Sequence, residues 1–124
     1  MNHILLVAIG GAIGATCRFL LGGFIQQKFA SAMPWGTLIV NVVGCFLIGL
    51  LMRAFDGNAI SESVKLLVIT GFLGALTTFS TFGYDTLLCF RGNGLPLALA
   101  NIGSNVVAGI LAVILGITVW DFVR

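Results

Sequence analysis

The positions of the charges decide what this chain can fold into. No Asp, Glu, Lys or Arg lies between Lys28 and Arg53 or between Arg91 and Asp121, and only Asp85 interrupts the stretch from Lys65 to Arg91. A helix that crosses about 30 Å of hydrocarbon needs about 20 mostly apolar residues, and intervals of that length recur along the whole sequence. Four spans fit, over about residues 4–26, 35–52, 65–90 and 95–122, the first of them carrying Arg18. Pro34 and Pro96 stand where a helix begins, a position that tolerates the missing N–H. Trp35 and Trp120 suit the headgroup level. The apolar runs are continuous rather than alternating, which argues against the strands of an outer-membrane barrel. The expected fold is an all-α membrane protein, with residues 1–124 forming a single four-helix transmembrane domain.

Composition agrees. With 8% charged and 59% hydrophobic residues, the chain lacks the roughly 25% charged share from which a water-facing surface is built. A soluble enzyme, a secreted module and a disordered chain are excluded on that ground. A net charge of +2 without a Lys/Arg cluster gives no footprint for nucleic acid. Cys17, Cys45 and Cys89 are odd in number and far apart, which fits neither a disulfide framework nor a metal-ligand spacing, and they are expected as small buried packing residues. The run from Ile4 to Ala15 lacks a basic leader and continues into Arg18, so it is read as a retained span. Only Asp56 to Ser63, DGNAISES, reads as a loop of any length.

With four spans, Arg53, Lys65 and Arg124 fall on one side and Lys28 and Arg91 on the other. So small a bias orients the chain weakly. Two readings stay open: a weak preference for the N-terminus inside, or dual topology, in which the chain inserts both ways and pairs antiparallel with itself.

If the flanking charges mark the interfaces, the midpoints of the last three intervals fall at Asn41, at Thr78 and next to Asn105. Polar groups therefore sit where an unpaired amide costs several kcal/mol, and they must face protein, each other or water. Asn101, Ser104 and Asn105 share one helix face. They serve either as interhelical hydrogen-bonding groups or as a lining. The third span carries ITGFLGALTTFSTF from Ile69 to Phe82. Gly71 and Gly74 with the β-branched Thr77, Thr78 and Thr81 weaken an α-helix there, so this helix is expected to be broken near the midplane. A break at that depth is tolerated where the backbone is buried or lines a cavity, and its freed groups become ion ligands. Small residues at Gly10 and Gly14, Gly11 and Ala15, and Ala112 and Gly116 mark close helix packing. A unit packed this tightly leaves little room for an aqueous path of its own, so a path between two copies, and hence a homodimer, is expected.

No enzyme assembles from one His at position 3, unpartnered cysteines and no embedded carboxylate pair. Amide N–H groups, hydroxyls and phenyl edges are donors or positive edges, which suits transport of an anion. Arg18 either snorkels to the interface or lines a vestibule that concentrates anions. A carboxylate at Asp85 would repel such a cargo unless protonated or hydrogen-bonded.

GFLGALTTFSTF over Gly71–Phe82, NVVGCFLIG after Trp35-Gly36-Thr37, and the N-terminal GGAIGATCRF together resemble the small bacterial fluoride channels of the Fluc (CrcB) family, over essentially the whole chain. The resemblance implies a fluoride-selective channel in the bacterial inner membrane, built as a dual-topology antiparallel homodimer with two pathways and a structural Na+ at the dimer centre. It implies that Asn41, Phe79 and Phe82 contact fluoride, that Ser80 and Thr81 belong to a polar track, and that Arg18 is a vestibule arginine. The carbonyls of Gly74 and Thr77 would be the Na+ ligands. Ser104 and Asn105 are possible further lining. Two other readings remain: a small dual-topology multidrug exporter, which needs an acid in the first span where this sequence has Arg18, and a non-conducting subunit of a larger membrane complex.

Overall fold

Asn2 starts the first helix by accepting the Ile4 N–H on its side chain at 3.0 Å, and helix α1 then runs over His3–Phe29. Ala30 ends it in the left-handed region, with φ 40. In this computed structural model, which describes residues 2–56 and 60–123, α2 follows over Trp35–Phe55. The third span is assembled from pieces: α3 over Glu62–Lys65, a π-wound stretch over Leu66–Leu73, a last turn α4 over Gly74–Leu76, and then α5 over Phe79–Asn93. Helix α6 covers Leu95–Val123. Gly94 alone separates α5 from α6, at φ 85, a conformation that glycine adopts without steric cost.

The four expected spans are thus present as helices long and apolar enough to cross a membrane, His3–Phe29, Trp35–Phe55, Glu62–Asn93 and Leu95–Val123. The first and third extend past both expected limits, by one to three residues, while the second and fourth start where expected and run three residues and one residue further. Ser61 caps α3 through the Val64 N–H, so the third span starts ahead of Lys65 and shortens the expected Asp56–Ser63 loop. Residues 57–59 of that loop, and Arg124 of the charge count, lie outside the described residues. Pro34 caps α2, and Pro96 is the second residue of α6.

Helix α2 packs most extensively on α6, α1 on the π-wound stretch and α4, and α5 on α6. Glycines set these distances. A Cβ on Gly10 would meet the Leu67 carbonyl oxygen and one on Gly14 the Phe72 carbonyl oxygen, so α1 touches the third span backbone to backbone. Gly49 and Gly116 do the same for α2 and α6, against Val113 O and Phe46 O. The small residues of the sequence therefore pack helices within one chain. At one end of this pair Arg53 Nε meets Asp121 Oδ1 at 2.7 Å, an exposed ion pair of modest worth.

The cysteines depart from expectation. Cys89 is buried, with its Sγ 3.7 Å from the Ala32 carbonyl, but Cys17 and Cys45 are only half-buried. A thin bundle whose apolar side chains face outward cannot enclose every small residue. Phe19, Phe24, Val107 and Leu111 are all more than half exposed, as lipid-facing residues are.

Candidate functional site

At Thr77 and Thr78 the backbone leaves the helix. Thr77 has φ −83 and ψ 155, and Thr78 has φ −150 and ψ 118, both extended, between the end of α4 and the start of α5. The two threonines close the ends they separate. Thr77 Oγ1 donates back to the Leu73 carbonyl at 3.1 Å, and Thr78 Oγ1 caps α5 by accepting the Thr81 N–H at 3.3 Å. The Thr77 methyl lies where a Cβ on Gly44 would be, so α2 approaches this turn only because residue 44 has no side chain.

Asn41 of α2 holds the turn from the other side. Its Oδ1 accepts the Thr78 N–H at 2.8 Å, and its Nδ2 donates to the Thr78 carbonyl at 3.2 Å and to Asn105 Oδ1 at 3.1 Å. The three residues at the interval midpoints are therefore joined through Asn41. Behind them Asn105 Nδ2 donates to the Asn101 carbonyl and side-chain oxygens at 3.0 and 3.1 Å. Asn101 is fully enclosed and donates to Thr86 Oγ1 at 2.8 Å, and Thr86 donates to the Phe82 carbonyl at 2.8 Å. Every step in this chain of bonds is satisfied, which is the condition for amides to persist inside a bundle.

These diversions leave two carbonyls without their usual helical donors. The residue four ahead of Gly74 is Thr78, whose N–H goes to Asn41, and the residue four ahead of Thr77 is Thr81, whose N–H goes to the Thr78 hydroxyl. Thr77 O meets instead the Arg18 guanidinium, with Nη1 at 3.5 Å. The carbonyls singled out for a cation in the sequence are thus ones released at the end of a helix, where the dipole favours positive charge.

Two hollows meet at Thr78, which lines both. One, of about 400 Å³, is lined by Asn41, Gly74, Thr77, Phe79, Phe82 and Asn105 together with apolar residues of α2. Phe79 is 83% exposed there, and its ring lies 5.4 Å from that of Phe82, tilted by 54°. The other, of about 690 Å³, is lined by Arg18, Gln26, Thr37, Thr81 and Asp85 among others. Asp85 is held by Thr37, whose hydroxyl donates to Oδ2 at 2.6 Å. Gln26 fixes the rim by accepting the Gly36 N–H at 3.1 Å and donating to the Ser31 and Met33 carbonyls at 3.0 and 3.2 Å. A single chain was expected to leave little room for an aqueous path of its own, and both hollows are open at the surface of the chain.

The candidate residues therefore divide. Asn41, Phe79, Phe82, Asn105, Gly74 and Thr77 share one hollow, while Arg18 and Thr81 share the other with Asp85. Ser80 stays beside the turn, its Oγ 3.3 Å from Thr78 Oγ1. Ser104 bonds back to Ala100 and Asn101 of its own helix and lines neither hollow. Sequence reasoning missed Thr37, Gln26 and Thr86 as members of the site. Thr37 stands four residues before Asn41, on the same helical face, which was the available signal.

Comparison with known proteins gives a consistent result. The family model described as CrcB-like protein, Camphor Resistance (CrcB), matches residues 5–117. The fluoride-specific ion channel FluC of Chloroflexus aurantiacus is 47% identical over 119 residues, 94% of this chain and 94% of its own. The protein of the same name from Dehalococcoides mccartyi is 44% identical over 117 residues, 94% of this chain and 90% of its own. That from Shewanella sediminis is 48% identical over 116 residues, 94% of each chain.

Proposed function

Since the chain belongs to the CrcB-like family, we propose that it is a fluoride-selective channel, a passive pathway and not an enzyme, which lets fluoride leave the cytoplasm of a bacterium across its inner membrane. The observation that carries the reading is the pair of hollows that share Thr78, one holding Arg18 with Asp85 and polar side chains, the other lined by amides and phenyl rings. Fluoride is small and tightly hydrated, so a path must exchange its water for donors step by step. Arg18 supplies the field that gathers anions into the wider hollow. Thr37 quiets the one carboxylate there by donating to it, and Thr81 with Ser80 offers hydroxyls towards the turn. Beyond Thr78 the Asn41 amide and the ring edges of Phe79 and Phe82, the positive part of each quadrupole, take over.

The working unit is a dual-topology antiparallel homodimer. The exposed Phe79 and the apolar outer surface of α6, with Val106, Ile110 and Ile114 at least half exposed, support a second copy closing the narrower hollow. A structural Na+ at the dimer centre would be held by the carbonyls of Gly74 and Thr77, the latter shared with the Arg18 guanidinium. When bound, it would supply a fixed positive charge that offsets anion desolvation.

The test is ion release from liposomes containing only the purified protein, read in parallel by fluoride and chloride electrodes. Fluoride release without chloride release is expected. A folded protein that releases no fluoride overturns the reading and promotes the non-conducting subunit.

A further inference from the structure

Asn41 has no amide hydrogen to spare. The Thr78 N–H can only donate, so its 2.8 Å bond fixes which end of the Asn41 amide is oxygen. The two hydrogens of Nδ2 are then committed, one to the Thr78 carbonyl and one to Asn105 Oδ1. An anion arriving beside Asn41 finds its place taken by another acceptor, and one of those bonds has to be given up. The bonds to Thr78 are reciprocal, amide against a single backbone unit, and they hold the turn on which both hollows depend. The bond to Asn105 is single and joins two side chains that both line the narrower hollow.

Asn105 is aimed from behind. Its Nδ2 is tied to both oxygens of Asn101, which is fully enclosed and itself tied to Thr86. That leaves Asn105 Oδ1 pointing at Asn41. We propose that Asn105 is a selectivity-determining residue: its side-chain oxygen occupies the Asn41 N–H between ions and yields it only to an anion that accepts a hydrogen bond better than a neutral amide does. The inference rests on the fluoride-channel reading and deepens it. A compact anion with concentrated charge makes the stronger, charge-assisted bond and displaces the amide oxygen. Chloride, larger and a weaker acceptor, does not, so discrimination comes from a competitor built into the wall. Asn101 is the positioning residue that keeps the competitor in register.

The measurement is fluoride and chloride release from liposomes by wild type, Asn105→Ala and Asn105→Asp, each checked for the elution volume of the wild type. Removing the competitor in Asn105→Ala is expected to speed fluoride and admit chloride, lowering the fluoride-to-chloride ratio about tenfold, on the order of one hydrogen bond. Asn105→Asp places a stronger acceptor against Asn41 and is expected to slow fluoride about tenfold while still excluding chloride. Asn105→Ala that slows fluoride with chloride still excluded makes Asn105 a support for Asn41 and overturns the proposal. Should the alanine variant not assemble, Asn105→Ser, whose side chain is shorter, takes its place with the same two outcomes. Failure of the channel reading looks different, since the wild type itself then releases neither ion, and the proposal falls with it.

Discussion

Asn101 shows what a polar residue inside this bundle must do. It is fully enclosed, donates to Thr86 and accepts from Asn105. Asn101→Leu would strip one hydrogen bond each from the half-buried Thr86 and Asn105, which keep their bonds to backbone carbonyls, at about 1 kcal/mol apiece. A clear loss of thermal stability in detergent is expected, and an unchanged melting temperature would mean that those groups find other partners. The proposed pore side chains differ, because on that reading their work is done on the ion. Phe79 is almost wholly exposed on the chain, so Phe79→Ile removes little packing but replaces a positive ring edge by an aliphatic group. Slower fluoride release with unchanged assembly is expected of Phe79→Ile and of Phe82→Ile, and normal release in both would remove the rings from the mechanism. Asn41→Leu takes away both the donor and the clasp on Thr78. It is expected to cut release at least about tenfold, a loss of more than one hydrogen bond.

At the scale of the element, the third span is where local sequence and tertiary packing agree. Two consecutive threonines each offer the backbone an alternative to the helical ladder, and each takes it, Thr77 onto Leu73 and Thr78 onto Thr81. The turn was legible in GALTTFSTF because β-branching and hydroxyl caps are local properties. That Asn41, Thr78 and Asn105 belong together was legible as well, since they fall at or beside interval midpoints, and Asn41 bonds to each of the other two. What could not be read was pairing across helices, such as Thr37 with Asp85, Thr86 with Asn101 and Gln26 with Gly36, because a Thr or Gln on an apolar helix declares no partner. That the Ser104 hydroxyl bonds back to its own helix instead of lining a hollow was equally hidden. The turn also depends on Gly44 of α2, where any side chain collides with the Thr77 methyl. Gly44→Val should push α2 off the turn and cost about 1–3 kcal/mol in overpacking. Conduction should fall with it, and a fully active Gly44→Val channel would show that Asn41 reaches Thr78 without that close approach.

For the whole molecule, four spans and a nearly balanced charge distribution were available from sequence, but how copies associate is a property of surfaces that one chain leaves uncovered. The narrower hollow lies beside exposed Phe79 and Val106, so its outer wall has to come from lipid or from a second copy. A lipid wall offers a permeating anion no donors, whereas an antiparallel copy brings the same amides and rings from the opposite direction. On the proposed antiparallel dimer, insertion in both orientations is a requirement for assembly rather than a tolerance. A cysteine added after Arg124, with Cys17, Cys45 and Cys89 replaced, should react with an impermeant maleimide from each side of the membrane. Two lysines added between α2 and α3 strengthen the bias of Arg53 and Lys65 and should confine labelling to one side. If the antiparallel pair is the channel, that biased chain expressed alone loses fluoride release. Co-expression with a chain biased the other way, by lysines beside Lys28 and Arg91, restores it. A biased chain that conducts by itself would mean that copies meet in parallel, or that one chain and its lipids suffice.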